Sequence, residues 1–126
     1  MAIALLVVVA AFFLAMGVYA LVAPAALARP FGIVAGSPEA RAEIRAVYGG
    51  FGVAVAALLA VAVADAGGLR RGIAVTVAVA LAGMAGGRVV SRLADRATAF
   101  YPIWCYFCVE VVGAALLVPA AVAGGR

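Results

Sequence analysis

The stretch EIRAVYGGFGVAVAALLAVAVA, Glu43 to Ala64, decides the fold. It opens with a carboxylate and a guanidinium two residues apart. From Ala46 it then runs to Ala64 without a charge. At about 1.5 Å per residue, that run reaches roughly the 30 Å of a hydrocarbon core. Only helices and closed barrels satisfy their backbone in lipid, and an uncharged run of this length is a helix.

Three further segments read the same way. The spacing predicts helices over about 2–28, 38–64, 71–91 and 102–123. The chain has 126 residues, 70% of them hydrophobic and only 11% charged. A soluble domain of this size could not bury so much apolar surface. The expected fold is all-α, an integral membrane up-down bundle of four transmembrane helices in a single domain over 1–126. The apolar run at the start ends in Ala26-Leu27-Ala28, which resembles a signal-peptide cleavage site. It is too long for one, and no basic residue precedes it.

The connections carry their own signals. Ser37-Pro38-Glu39-Ala40 is a helix start, with Ser as cap, Pro in the first turn and Glu at the positive end of the dipole. Asp65 to Arg71 is a tight glycine-rich turn. Pro102 fits the first turn of the fourth helix. Short connections make consecutive helices antiparallel neighbours. An even number of spans puts both termini on one side. The loops after helices 1 and 3 hold Arg29, Arg41, Arg92 and Arg96; the other side holds Arg70, Arg71 and Arg126. Arginine excess then places the first set in the cytoplasm.

The net charge of +4 comes from nine arginines and five acids. The arginines are scattered at segment ends with no basic stripe, so nucleic acid is not an expected partner. There is no His, and two Cys do not make a structural zinc site, so no metal or cofactor is expected. The expected partners are membrane lipid and a membrane protein or a second copy of this chain.

The polar residues inside the spans are the candidate site. On a wheel at 100° per residue, helix 2 gathers Ala42, Ala46, Gly49, Gly50, Val53, Ala56, Ala57, Ala60 and Ala64 on one face. Such small faces let membrane helices approach closely. Phe51, Leu58 and Leu59 point to lipid. Glu43 and Arg45 flank the small face, and Tyr48 lies on the Arg45 side. Helix 3 presents Gly83, Gly86 and Gly87 as its packing face, with Arg88 turned away from it. Glu110 sits about 12 Å along helix 4, counted from Pro102. A carboxylate at that depth faces the bundle. Tyr106, Gly113, Ala114 and Leu117 share its side. Glu43, Arg45, Arg88 and Glu110 lie towards one membrane surface, where they can meet in a polar chamber. Arg45 is the expected partner of Glu110. Arg88 either reaches Glu110 or extends to the headgroups. The blander reading is that these charges only fix which helices are neighbours.

Cys105 and Cys108 form a Cys-x-x-Cys on helix 4. The motif resembles vitamin K epoxide reductase, a quinone-linked disulfide enzyme, but no second Cys pair follows helix 1. Both cysteines are expected inside the helix, opposite Glu110, as buried small hydrophobes.

With these residues in view, the chain resembles the bacterial "domain of unknown function 4345" family, small four-helix membrane proteins similar in layout to DoxX-like proteins. EIRAVYGG in helix 2 carries most of the likeness, with Gly87-Arg88 and Glu110. The resemblance implies a bacterial cytoplasmic membrane and marks Glu43, Arg45, Tyr48, Gly49, Gly50, Arg88 and Glu110. It implies no settled activity. Three functions stay open: a module binding a lipid-like or small amphipathic ligand, a structural subunit of a larger membrane complex, and a thiol-disulfide oxidoreductase.

Overall fold

The computed structural model describes residues 1–123. Four helical stretches are long and apolar enough to cross a membrane: Ala2–Val22, Pro38–Ala64, Arg70–Ala94 and Phe100–Ala123. The described residues form six α-helices: α1 (Ala2–Val22), α2 (Pro24–Ala28, in the connection between the first two spans), α3 (Pro38–Ile44), α4 (Phe51–Ala64), α5 (Arg70–Ala94) and α6 (Cys105–Ala123). The most extensive pairings are α1 with α4 and α5 with α6; α1–α6 and α4–α5 close the ring. Each span therefore touches its neighbours in sequence, and the last touches the first. The protein is an all-α, up-down four-helix membrane bundle.

The first span is shorter than the unbroken run to Ala28 suggested. Pro24 has no N–H to donate, and its ring pushes the preceding residue out of the helical region. Ala23 accordingly sits at φ −134°, ψ 63° and separates α1 from α2. The break frees carbonyls at the end of α1, and one of them is used below.

The second span starts as expected. Ser37 Oγ accepts a hydrogen bond from the Ala40 N–H at 3.1 Å, with Pro38 and Glu39 in the first turn. Between α3 and α4, however, Arg45–Gly50 is a π-helical turn. A π turn inserts one residue into the α-helical repeat. Ile44 and Gly49 are both buried, five positions apart, followed by Gly52, Val55, Ala56, Leu59 and Ala62. A uniform wheel across residues 42–64 misplaces the face for this reason. Leu59, expected towards lipid, is fully buried. Ala42, Ala46, Gly50, Ala57, Ala60 and Ala64 are exposed. Phe51 and Leu58 do face outward.

The turn from α4 to α5 needs left-handed backbone at Asp65, Gly67 and Gly68, which glycine adopts freely. Arg70 stitches it closed. Its Nε donates to the Ala62 carbonyl at 2.9 Å and its Nη2 to Val63 at 3.0 Å. Both carbonyls belong to the last turn of α4, where a cation also suits the helix dipole. Nη1 stands 3.6 Å from Asp65 Oδ2.

The fourth span opens irregularly. Phe100–Trp104 is an irregular helical turn with a cis Tyr101–Pro102 peptide, and regular α-helix begins only at Cys105. Pro102 thus precedes the regular helix instead of opening it. Arg126, counted on the terminal side in the charge comparison, lies outside the described residues.

The core divides along the bundle. Leu6, Leu59 and Leu117, all fully buried, lie in the half that carries both ends of the chain. A smaller cluster of Ala20, Leu27, Ala28, Ala35 and Ile44 fills the other half. The polar residues of the candidate site lie in that second half.

Candidate functional site: an Arg–Glu clasp between the third and fourth spans

Glu110 is the one charged residue buried in the described structure, 3% exposed. It lies five residues into α6, about 7.5 Å along the helix. Counted from Phe100, where the span begins, it is the eleventh residue. Leu117 and Ala120 continue its buried side, with Gly113 and Ala114 half-buried beside them.

Its partner is Arg88 of α5. Arg88 Nε donates to both carboxylate oxygens, at 3.1 and 2.9 Å, and Nη2 donates to Oε1 at 2.7 Å. This is forked guanidinium–carboxylate recognition, geometrically specific and stronger than a neutral hydrogen bond. Lipid supplies no competing donor, so each charge depends on the other. The Arg88 guanidinium also stands 5.7 Å from the centre of the Tyr106 ring, within cation–π range. Tyr106 in turn lies against Phe31 of the first loop, with ring centres 5.4 Å apart. The pair is thus covered by an aromatic from its own span and one from the loop after the first span. Phe31 escaped the sequence reading because nothing in that loop's composition marks one apolar residue over another.

Arg45, expected to hold Glu110, does something else. Its Nε donates to the Leu21 carbonyl at 3.0 Å. That carbonyl belongs to the end of α1, where Pro24 interrupts the helix. Arg45 therefore ties the second span to the first by capping it. The visible sign was Pro24 itself, since a proline inside a span leaves carbonyls that need donors. Glu43 is exposed and makes no ion pair or side-chain hydrogen bond among the described residues. The chamber of two acids and two bases is therefore not formed: one acid and one base meet. Tyr48 is 44% exposed.

The glycines sort sharply. A Cβ on Gly49 would fall 2.7 Å from Leu21, and one on Gly113 would fall 3.1 Å from Leu81. These two do line helix interfaces. Gly50 does not, because the π turn rotates it outward. Gly83 and Gly87 also do not: a Cβ at Gly83, Gly86 or Gly87 meets nothing within 4 Å among the described residues. Instead α5 packs through Ala74, Val77, Leu81 and Ala85. Arg88 continues that series three residues later, which turns it towards α6. The tightest approach was missed. A Cβ on Gly17 would sit 2.8 Å from the Val53 nitrogen, and one on Gly52 would sit 3.0 Å from the Gly17 Cα. There α1 and α4 cross backbone to backbone.

Cys105 and Cys108 are free thiols. Cys105 is half-buried and opens α6 rather than sitting inside it; Cys108 is exposed on the bundle's outer side. Cys108 borders an apolar groove of about 310 Å³ between α1 and α6. Val8, Val9, Phe12, Phe13, Val112 and Leu116 form most of its wall. No group of metal-ligating side chains occurs among the described residues.

Chemically, the clasp is a neutralised ion pair with no unpartnered buried side-chain polar atom around it among the described residues. Such a pair fixes geometry. It keeps α5 and α6 in one register and gives the bundle a polar half distinct from its hydrocarbon half.

No curated protein and no solved structure matches this chain. The family model described as Domain of unknown function (DUF4345) matches residues 1–121, which take in all four spans, the π turn, Arg88 and Glu110. The chain therefore belongs to that family.

Proposed function

We propose that this protein is a membrane-embedded binding module that seats the hydrocarbon part of a lipid-like molecule between α1 and α6. The groove of about 310 Å³ carries this reading. Bundle interiors are packed to near-crystalline density, yet here an apolar groove opens where α1 meets α6. The groove wall is almost wholly apolar, so it suits an acyl or isoprenoid chain and offers nothing to a polar solute. The Arg88–Glu110 clasp supports the reading indirectly, because it fixes α6 against α5 on the side away from α1.

A second reading rests on a different observation. Gly72, Thr76, Ala80, Gly83 and Gly87 are all exposed along α5. Small residues at this spacing are what membrane helices dock through, which favours a structural subunit beside another membrane protein or a second copy. One experiment separates the two. The protein is purified in mild detergent and examined by native mass spectrometry. The groove reading expects a retained small hydrophobic mass, lost when Val112→Trp fills the groove. A co-purifying protein or a dimer with no small mass supports docking. Equal retention by wild type and Val112→Trp ends the groove reading.

We further propose that the protein sits in the bacterial cytoplasmic membrane with the loops after the first and third spans in the cytoplasm. Arg29, Arg41, Arg92 and Arg96 on that side against Arg70 and Arg71 on the other support the orientation. Reporter fusions after Ala123 and within 95–99 are expected to report opposite sides. A cytoplasmic signal from Ala123 would reverse it.

A further inference from the structure

Beyond the clasp, on the side of Arg88 away from the core, lies a small pocket of about 70 Å³. Arg88, Ser91, Arg92, Arg96 and Thr98 supply its polar wall, with Ile103 and Trp104 closing it. It is separate from the α1–α6 groove and shares no lining residue with it. Three arginines line the pocket. Arg88 has its Nε and Nη2 engaged by Glu110. Arg92 and Arg96 make no side-chain hydrogen bond or ion pair among the described residues. The nearest further acid in sequence, Asp95, does not line the pocket, and its Oδ1 accepts the backbone N–H of Arg96 at 2.8 Å. The negative end of the α5 dipole attracts arginines to the last turn, but it amounts to about half a charge. Two unpaired guanidiniums exceed that.

The charged side chains lining the pocket are all of one sign. Guanidinium groups only donate, and the two hydroxyls can donate as well. A group that satisfies such a wall must be an acceptor on several sides and negatively charged. Forked guanidiniums suit phosphate oxygens in particular. The volume takes a compact tetrahedral group and leaves no room for a sugar or a base. Trp104, half-buried beside exposed Phe100 and Tyr101, is the kind of aromatic found at headgroup level.

We propose that this pocket binds a phosphate group, presented by an anionic lipid headgroup or as free phosphate. Two probes distinguish the sources. The full-length protein in phosphatidylcholine nanodiscs, with and without phosphatidylglycerol, is released into the mass spectrometer and retained phospholipid is counted. Separately, inorganic phosphate is titrated into protein in phosphatidylcholine nanodiscs by calorimetry. The test variant is Arg92→Gln/Arg96→Gln, which leaves the clasp intact. The control is Arg71→Gln at the opposite end of α5. An arginine near an anionic surface is worth about a fivefold change in binding, from the energy of one such charge. The double variant should therefore lose about thirty-fold or more of whichever affinity the wild type shows, while Arg71→Gln changes little. Phosphatidylglycerol preference lost in the double variant supports the lipid headgroup as source. Phosphate binding lost in the double variant, without lipid preference, supports free phosphate. The proposal is overturned if wild type binds neither probe, if the double variant matches wild type with unchanged thermal unfolding, or if Arg71→Gln loses as much.

Discussion

Glu110→Gln is expected to destabilise the bundle by about 3 kcal/mol, at the low end of what breaking a buried ion pair costs. The substitution keeps the side chain's size and hydrogen-bonding shape but removes its charge. Arg88 is then left in a low-dielectric site with no counter-ion. The cost stays below the usual upper range because the Arg88 side chain is 20% exposed and has an outward route towards the pocket at the end of α5. The decisive measurement is a double-mutant cycle by detergent or steric-trap unfolding. Glu110→Gln with Arg88→Gln should cost less than the two single changes summed, by about 1–2 kcal/mol. Glu110→Gln with Arg45→Gln should be additive within about 0.5 kcal/mol, because Arg45 caps α1 instead. Coupling to Arg45 and none to Arg88 would refute the clasp.

Gly17→Leu and Gly52→Val should each cost about 3 kcal/mol or abolish assembly, the severe end of overpacking. The reason is that the new Cβ meets backbone. At Gly17 it would lie 2.8 Å from the Val53 nitrogen and 3.0 Å from the Gly49 carbonyl oxygen. No rotamer relieves such a contact, so α1 and α4 must separate. Gly87→Ala supplies the contrast. It meets open space and exchanges the poorest ordinary helix former for the best, so it should be neutral or gain up to about 1 kcal/mol. Thermal unfolding of the three variants in one detergent decides the matter. Equal losses at Gly17 and Gly87 would mean that α5, too, packs through its glycines.

The four spans were legible because lipid imposes a simple rule: length and lack of charge are enough. The inward direction of Glu110 was legible for the same reason. What failed was azimuth. On helix 2, a uniform rotation of 100° per residue ignores the π turn, and no residue type announces one; Arg45–Gly50 is composed of ordinary helix and packing residues. On helix 3, the preference for small faces selected Gly83 and Gly87. Yet Ala74, Val77, Leu81 and Ala85 have the same spacing, and α6 brings Gly113 to meet Leu81, so the small residue sits on the opposite partner. The rule was satisfied by the pair of helices rather than by α5 alone. Arg88 followed the wrong face outward, and Arg45 was left as the apparent partner. The crossing at Gly17 and Gly52 depends on two glycines in different spans meeting at one height, and neither span specifies that height alone.

The clasp has a consequence for how the chain enters the bilayer. Synthesis delivers α5 before α6, so Arg88 reaches the insertion machinery without its counter-ion. An arginine at the centre of a span costs roughly 2.5–3.5 kcal/mol to insert, and less towards the end of a span, where Arg88 sits. Glu110 arrives only after the short connection Asp95–Ala99. If the third span entered the membrane alone, Arg88 would be uncompensated in the interim; if the two spans entered as a helical hairpin, the guanidinium and carboxylate would cross as a neutral couple. Hairpin entry would make the second half of the protein a unit of biogenesis as well as of packing. Truncation after Ala94 should leave the third span partly uninserted, measurable as a glycosylation-mapping shift, whereas truncation after Ala123 should restore full insertion.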